Sequence, residues 1–234
     1  MEEIMHAATP DELKAGLAQL DIDVPERSRG RSNLHTERYC IAHLLATLSN
    51  TRLCFPLVLT HGDKPDFVLS MPDGNVGIEH TEAVPKNVAW SQFLREKTRG
   101  PDIYFTPHAT PGEPKRTADE LCREIEVDEP GDGWVGDSAE HEWAAAIAHC
   151  VKQKLPKATA VGFTRYSANW LMVYDNWPLP HIDFTKAASL LYPLMKGVNA
   201  FAVFDAVFVL DDSQLCELRD SPIIYKLSDS RIGS

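Results

Sequence analysis

The spacing of apolar positions divides the chain into helical and extended segments. Apolar residues recur every three or four positions over about 10–20, 34–48, 87–97, 117–125, 140–154 and 184–195, which predicts helices there. Short apolar runs bounded by turn residues predict strands at 53–60, 66–71, 76–84, 170–174 and 206–210, with an edge strand near 214–218. This order predicts an α/β or α+β domain with a central mixed β-sheet flanked by helices.

The domain is predicted to begin near residue 33. Residues 1–32 have the pattern of a short helix followed by a polar linker. The linker contains Arg27, Arg29 and Arg31, which we interpret either as a solvated segment or as a phosphate contact. Residues 33–234 are predicted to form a single domain. Its irregular insertion at about 98–139 is rich in Pro, Gly and acids, as is typical of a lid or a binding loop.

Composition restricts the class of protein. Hydrophobic content of 44% and charged content of 24% are ordinary for a globular domain. No apolar run is long enough to span a membrane and the N-terminus does not resemble a signal peptide, so we expect a cytoplasmic protein with no membrane partner. The five cysteines are widely spaced without a C-x-x-C pair, which indicates reduced thiols and no zinc cluster.

The net charge of −11 argues against a basic face for nucleic acid. A local cluster of cations or a bound metal ion can nevertheless reverse the field at one site.

Two acids lie on neighbouring predicted strands. The turn signal Met71-Pro72-Asp73-Gly74-Asn75 joins the strands at 66–71 and 76–84 into a hairpin. A register that sets Asp66 beside Glu79 would bring two carboxylates together. Such a pair commonly holds a divalent cation or balances a buried charge.

Two further charges are predicted to face the core from helices. Glu37 falls within the apolar stripe of the helix at 34–48, where it either has a partner or lies at the stripe edge and reaches water. Lys154 projects into the apolar stripe of the helix at 140–154, near an end imposed by Pro156. It either faces a carboxylate or complements the helix dipole. Because unrelated buried charges are costly, these residues together with the hairpin acids indicate a site.

The segment Pro65-Asp66, twelve residues, then Glu79-His80-Thr81 resembles the motif of the PD-(D/E)XK nuclease superfamily, which includes restriction endonucleases and Holliday-junction resolvases. Many members also carry a glutamate like Glu37 on the preceding helix. The αβββαβ order over roughly residues 33–175 matches the superfamily core. The resemblance implies a restriction-endonuclease-like fold in which Asp66 and Glu79 bind Mg²⁺ or Mn²⁺, assisted by the carbonyl of His80 and by Glu37.

The chain departs from this motif at position 81, where the superfamily has a lysine. Thr81 carries no charge and cannot stabilise an attacking hydroxide or a developing phosphorane. In some members the lysine comes from a neighbouring helix, and Lys154 is suited to that role. Lys157 is the reserve and Lys86 a weaker choice.

Two residues at the end of the second hairpin strand are secondary candidates beside Lys157. Alternation places Thr81 on the face of Glu79, and Glu82 on the face of His80.

The resulting hypothesis is a metal-dependent phosphodiesterase that acts on DNA or RNA. Asp66 and Glu79 would hold Mg²⁺ or Mn²⁺, and Lys154 would be the migrated catalytic lysine. The alternative is a catalytically degenerate nuclease fold that serves as a binding or regulatory module, favoured by the net charge and by Thr81. A third interpretation is a structural ion-pair network. The oligomeric state stays open, and a homo-oligomer is compatible with the sequence.

Overall fold

The computed structural model describes residues 2–98, 105–106 and 108–227. Its strands are β1 (Glu2–Ala7), β2 (Leu57–His61), β3 (Phe67–Met71), β4 (Gly74–Ala83), β5 (Ala168–Asp175), β6 (Ala206–Leu210), β7 (Gln214–Leu218) and β8 (Pro222–Lys226). Its helices are α1 (Pro10–Leu17), α2 (Asn33–Leu48), α3 (Lys86–Thr98), α4 (Ala118–Val127), α5 (Ser138–Ala158) and α6 (Phe184–Gly197), with short 3-10 turns at Arg27–Arg29 and Ala200–Ala202.

The strands of the described residues form one mixed sheet in the order of the sequence. The pairs β1–β2, β2–β3 and β3–β4 are antiparallel, β4–β5 and β5–β6 are parallel, and β6–β7 and β7–β8 are antiparallel. The parallel connections contain helices, α3 to α5 before β5 and α6 before β6, as a crossover between parallel strands requires. The predicted α/β class with a helix-flanked mixed sheet is therefore confirmed.

Helices cover both faces of the sheet. On one face α1 and α2 pack against alternate residues of the strands, among them Val76 and Ile78 of β4. On the other face α5 and α6 pack against Ala83 of β4 together with Leu171 and Val173 of β5. The predicted alternation along β4 is confirmed, since odd-numbered positions face α5 and even-numbered positions face α2. Glu79 therefore lies on the α5 face.

The N-terminal residues are part of the sheet rather than an extension of the domain. Strand β1 pairs with β2, and Leu13 and Leu17 of α1 are buried in the core on the α2 face. The sequence predicted a polar linker after this helix, but Arg27 and Arg31 fold back onto Glu82 of β4. Long-range pairing of this kind has no local pattern, so the segment appeared independent in sequence.

Several boundaries differ from the sequence prediction. The strand expected at 53–60 spans Leu57–His61, and β1 and β8 were not predicted. Helix α5 continues through Pro156 to Ala158, because a proline in the last turn removes only one helical hydrogen bond. In the predicted insertion α4 is present, and residues 99–104 and 107 lie outside the described residues. None of the described helices is long and apolar enough to cross a bilayer.

Candidate functional site

The β3–β4 hairpin brings Asp66 and Glu79 together. Its ladder runs from Met71 opposite Gly74 to Phe67 opposite Ile78, which confirms the predicted hairpin. Asp66 immediately precedes β3, and Glu79 follows Ile78 on β4. The β3–β4 ladder ends at Phe67 and Ile78, whereas β4 continues to Ala83 in its pairing with β5. The two acids therefore lie just past the end of the hairpin ladder.

Asp66 is held against the edge of β4 by a main-chain hydrogen bond. The amide N–H of His80 donates to Asp66 Oδ2 at 2.6 Å. Burial raises the pKa of Asp66 to about 7, and the negative charges of Glu79 and Glu37 add to the increase. The His80 hydrogen bond and the charge of Lys154 oppose it. Negative charge is therefore in excess around Asp66.

Glu79 forms a buried ion pair with α5. Lys154 Nζ lies 2.7 Å from Glu79 Oε1, and the two side chains are only 16% and 10% exposed. The buried residues Trp143, Ile147 and Val151 fix the side of α5 that faces the sheet, and Lys154 extends from that side. Glu79 Oε2 is buried and has no hydrogen-bond partner among the described residues. One lysine thus faces two acids and leaves a buried carboxylate oxygen unsatisfied.

The main chain of His80 borders the acid pair, and its ring lies on the α2 face of the sheet. Burial lowers the pKa of His80 to about 3, with Lys154 as the second cause, so the imidazole is neutral at physiological pH. Its Nε2 is also buried without a partner in the described part of the chain. The N–H and C=O of a strand residue point to the same side. Because the N–H of His80 points to Asp66, its carbonyl also opens toward the acid pair.

Glu37 lies beside the acid pair and has a partner of its own. It is buried on α2, and its Oε2 is 3.3 Å from Nε2 of His61 at the end of β2. Its charge raises the pKa of Asp66. The contact of Glu37 in the structure is with His61, and its role as a metal ligand stays a prediction. Sequence reasoning missed His61 because the predicted strand ended one residue earlier, at Thr60.

The secondary candidates separate into different roles. Glu82 lies on the α2 face, where its Oε1 accepts hydrogen bonds from Arg27 at 2.6 Å, Arg31 at 2.8 Å and Asn176 at 2.7 Å. The two arginines join the N-terminal segment to the sheet. Glu82 is therefore bound to these partners on the α2 face and does not face the acid pair.

Two other candidates show no contact with the acids. Thr81 shares the strand face of Glu79 and pairs with Val173 of β5. Lys157 is exposed in the last turn of α5, one turn beyond Lys154.

The donor set fits a hard divalent cation. The described residues contain no group of three or more His, Cys, Asp and Glu that could hold a metal ion. Mg²⁺, however, is usually held by one or two carboxylates, with water and substrate phosphate completing its octahedron. Asp66, Glu79 and the carbonyl of His80 supply such a set. The unsatisfied Glu79 Oε2 and the raised pKa of Asp66 indicate the charge that a cation would neutralise.

A cavity of about 890 Å³ lies elsewhere, between α3, α4 and the residues that follow β5. Its described lining includes Arg95, Asp128, Asp175 and Trp177 and does not include the acid pair. Asp175 is four residues beyond the partner of Glu79 on β5, a separation of about 13 Å along the strand. The cavity and the acid pair are separate features.

Comparisons with protein-family models, with curated proteins and with solved structures find no match. The functional assignment therefore rests on the geometry of the acid pair and on the sequence motif.

The raised pKa of Asp66 predicts a pH-dependent stability in metal-free buffer. Between pH 3.8, its ordinary pKa, and about 7, the folded protein keeps a proton that the unfolded chain has released. The free energy of unfolding contributed by Asp66 therefore falls as pH rises through this window. Asp66→Asn removes this loss and keeps an acceptor for His80. We expect it to stabilise the protein by roughly 2–4 kcal/mol at pH 8.

Urea unfolding in EDTA at pH 4.5 and pH 8 measures the effect. The two proteins should have similar stability at pH 4.5. Asp66→Asn that destabilises the protein equally at both pH values would contradict the charge excess.

Proposed function

We propose that this chain is a metal-dependent phosphodiesterase that cleaves DNA or RNA. The observation that carries the proposal is the meeting of Asp66, Glu79 and Lys154 at one point on the sheet, with the lysine 2.7 Å from Glu79. Two carboxylates and an ammonium group are the side chains that metal-assisted phosphoryl transfer requires. The hairpin and helix α5 are far apart in sequence, so the proximity of these side chains is not a consequence of local chain geometry.

The arrangement of elements supports a restriction-endonuclease-like core of the PD-(D/E)XK type. Helix α2, the strands β2, β3 and β4, helix α5 and strand β5 occur in the αβββαβ order, with α3 and α4 added before α5. The motif acids stand immediately before β3 and in the middle of β4. The glutamate of the preceding helix, Glu37, is buried close enough to raise the pKa of Asp66.

Asp66, Glu79 and the carbonyl of His80 would hold Mg²⁺ or Mn²⁺. When bound, the ion supplies an activated water and neutralises charge on the scissile phosphate. The protein contributes preorganisation. The His80 N–H fixes Asp66 Oδ2, and the β3–β4 ladder fixes the separation of the two strands. Glu79 is buried and Asp66 is half-buried, which limits the water that would otherwise weaken their electrostatic interactions.

Lys154 supplies the positive charge that Thr81 lacks. Its ammonium group is held by Glu79 Oε1, so it is oriented before any substrate arrives. From that position it would stabilise the nucleophile and the negative charge that develops on the phosphorus oxygens. The lysine thus comes from α5 instead of from the position two residues after Glu79.

A binding or regulatory module without catalysis is the second candidate. It is favoured by Thr81 at the motif position and by the net charge of −11. In that case the ion pair would be structural, and breaking it would cost about 3–5 kcal/mol whether or not metal is present.

Cleavage assays test the proposed activity directly. Supercoiled plasmid and single-stranded DNA and RNA are incubated with Mg²⁺ or Mn²⁺, and products are followed by gel. We expect metal-dependent cleavage that falls at least about 100-fold in Glu79→Ala, since a metal-binding carboxylate is lost. Glu126→Ala, an exposed change on α4, is the matched control and should cleave normally. Cleavage that persists in Glu79→Ala would contradict the assignment.

The role of Lys154 is tested by Lys154→Met, which keeps much of the side-chain volume and removes the charge. We expect kcat to fall by about 100- to 1,000-fold, the usual cost of losing one electrostatic stabiliser of the transition state. Titration calorimetry should show that Mn²⁺ still binds. Lys152→Ala on the exposed side of α5 is the control and should retain full activity. An unchanged kcat in folded Lys154→Met would assign the lysine a structural role.

A further inference from the structure

Acidic residues are absent from a long segment of an otherwise acidic chain. Residues 143–174 contain none of the 34 Asp and Glu residues of the protein. The same segment contains Lys152, Lys154, Lys157 and Arg165. The net charge of −11 is therefore unevenly distributed along the chain, and one segment is locally basic.

The fold brings the basic segment to the acid pair. Lys157 lies one helical turn beyond Lys154, whose ammonium group contacts Glu79. The loop that follows α5 then turns back toward the β3–β4 hairpin. Its Thr164 N–H donates to the carbonyl of Lys64 at 3.2 Å, and Lys64 is two residues before Asp66. The loop therefore borders the turn that carries Asp66.

Three exposed cations lie on these segments next to the acid pair in the chain or in the fold, and we call Lys64, Lys157 and Arg165 the basic rim. Lys64 is 62% exposed, and Lys157 and Arg165 are also exposed. Arg165 is anchored by donating to the carbonyl of Val203 at 2.9 Å, which holds the loop in place.

Two exposed acids lie near the rim. Asp63, 90% exposed, is 3.5 Å from Lys64 Nζ, and Asp205 accepts from the main-chain N–H of Asn169. Because exposed pairs are strongly screened by water and salt, Asp63 leaves Lys64 available to a polyanion.

We propose that the basic rim binds the sugar–phosphate backbone of the nucleic acid on both sides of the phosphate that is cleaved. This inference rests on the proposed function. A backbone is favoured over a single small anion because the cations are distributed over a turn, a helix end and a loop around the acid pair. Lysine and arginine contacts to phosphates position a strand without reading its sequence. We therefore expect salt-dependent binding with little sequence preference.

Fluorescence anisotropy with labelled 20-nucleotide single-stranded and duplex DNA measures the interaction. EDTA is present, so that binding is observed without metal-dependent cleavage. We expect affinity to fall steeply between 50 and 200 mM salt, as counterion release requires. The triple variant Lys64→Glu, Lys157→Glu, Arg165→Glu should bind at least about ten-fold more weakly, with a log–log salt slope shallower by roughly 2–3.

The control variant carries the same change in net charge at distant sites. Lys14→Glu, Arg123→Glu and Lys226→Glu replace two lysines and one arginine on α1, α4 and the edge strand β8, all exposed. Its affinity should remain within about two-fold of the unmodified protein. An equal loss in both variants would overturn the rim and indicate a general effect of net charge. Absence of saturable binding by the unmodified protein at 50 mM salt would also overturn it.

The rim and the proposed activity fail in different ways. Rim-dependent binding by a protein that never cleaves with Mg²⁺ or Mn²⁺ would support the rim and overturn the phosphodiesterase. Cleavage that is sensitive to Glu79→Ala, but has the same KM in the rim variant, would support the phosphodiesterase and overturn the rim.

Discussion

The ion pair between Glu79 and Lys154 determines how the site is built. It joins the middle of β4 to α5, and both side chains are largely excluded from solvent. The distance between Nζ and Oε1 is 2.7 Å. Burial, and after it the negative charges of Glu79 and Glu37, raises the pKa of Asp66 to about 7. Glu79 Oε2 is buried without a hydrogen-bond partner among the described residues. A buried ion pair is weak support for stability alone, because desolvation offsets much of its Coulomb energy. The divalent cation that we propose would neutralise this excess of negative charge.

The β3–β4 hairpin places the two acids next to each other. Its ladder stops at Phe67 and Ile78, and beyond them β4 continues in its pairing with β5. The main-chain N–H of His80 fixes Asp66 at the end of the ladder. The lack of acids in residues 143–174 gives the surroundings of the site an electrostatic character that the net charge of −11 conceals. The proposed metal site, the lysine and the proposed rim would then act on the same stretch of nucleic acid.

Sequence periodicity predicts which way a side chain faces when its direction depends only on the helix or strand that carries it. Helical phase predicted that Lys154 faces the sheet, and strand alternation predicted the face of Glu79. It was insufficient where position depends on a distant partner. The pairing of Arg27 with Glu82 connects residues 55 positions apart, and no local pattern specifies it. His61 was missed through an error of one residue in a strand boundary. The edge strands β1 and β8 have few buried residues, so the alternation of their apolar and polar positions is weak.

Anomalous diffraction from crystals soaked in Mn²⁺ tests whether the acid pair is a divalent-cation site. If Asp66 and Glu79 bind the ion, a manganese peak lies within about 2–2.3 Å of carboxylate oxygens of both residues. The same crystals should show Lys154 Nζ still in contact with Glu79. No peak between the two acids at saturating Mn²⁺, or a peak only at other acidic residues, would show that Asp66 and Glu79 do not form a divalent-cation site.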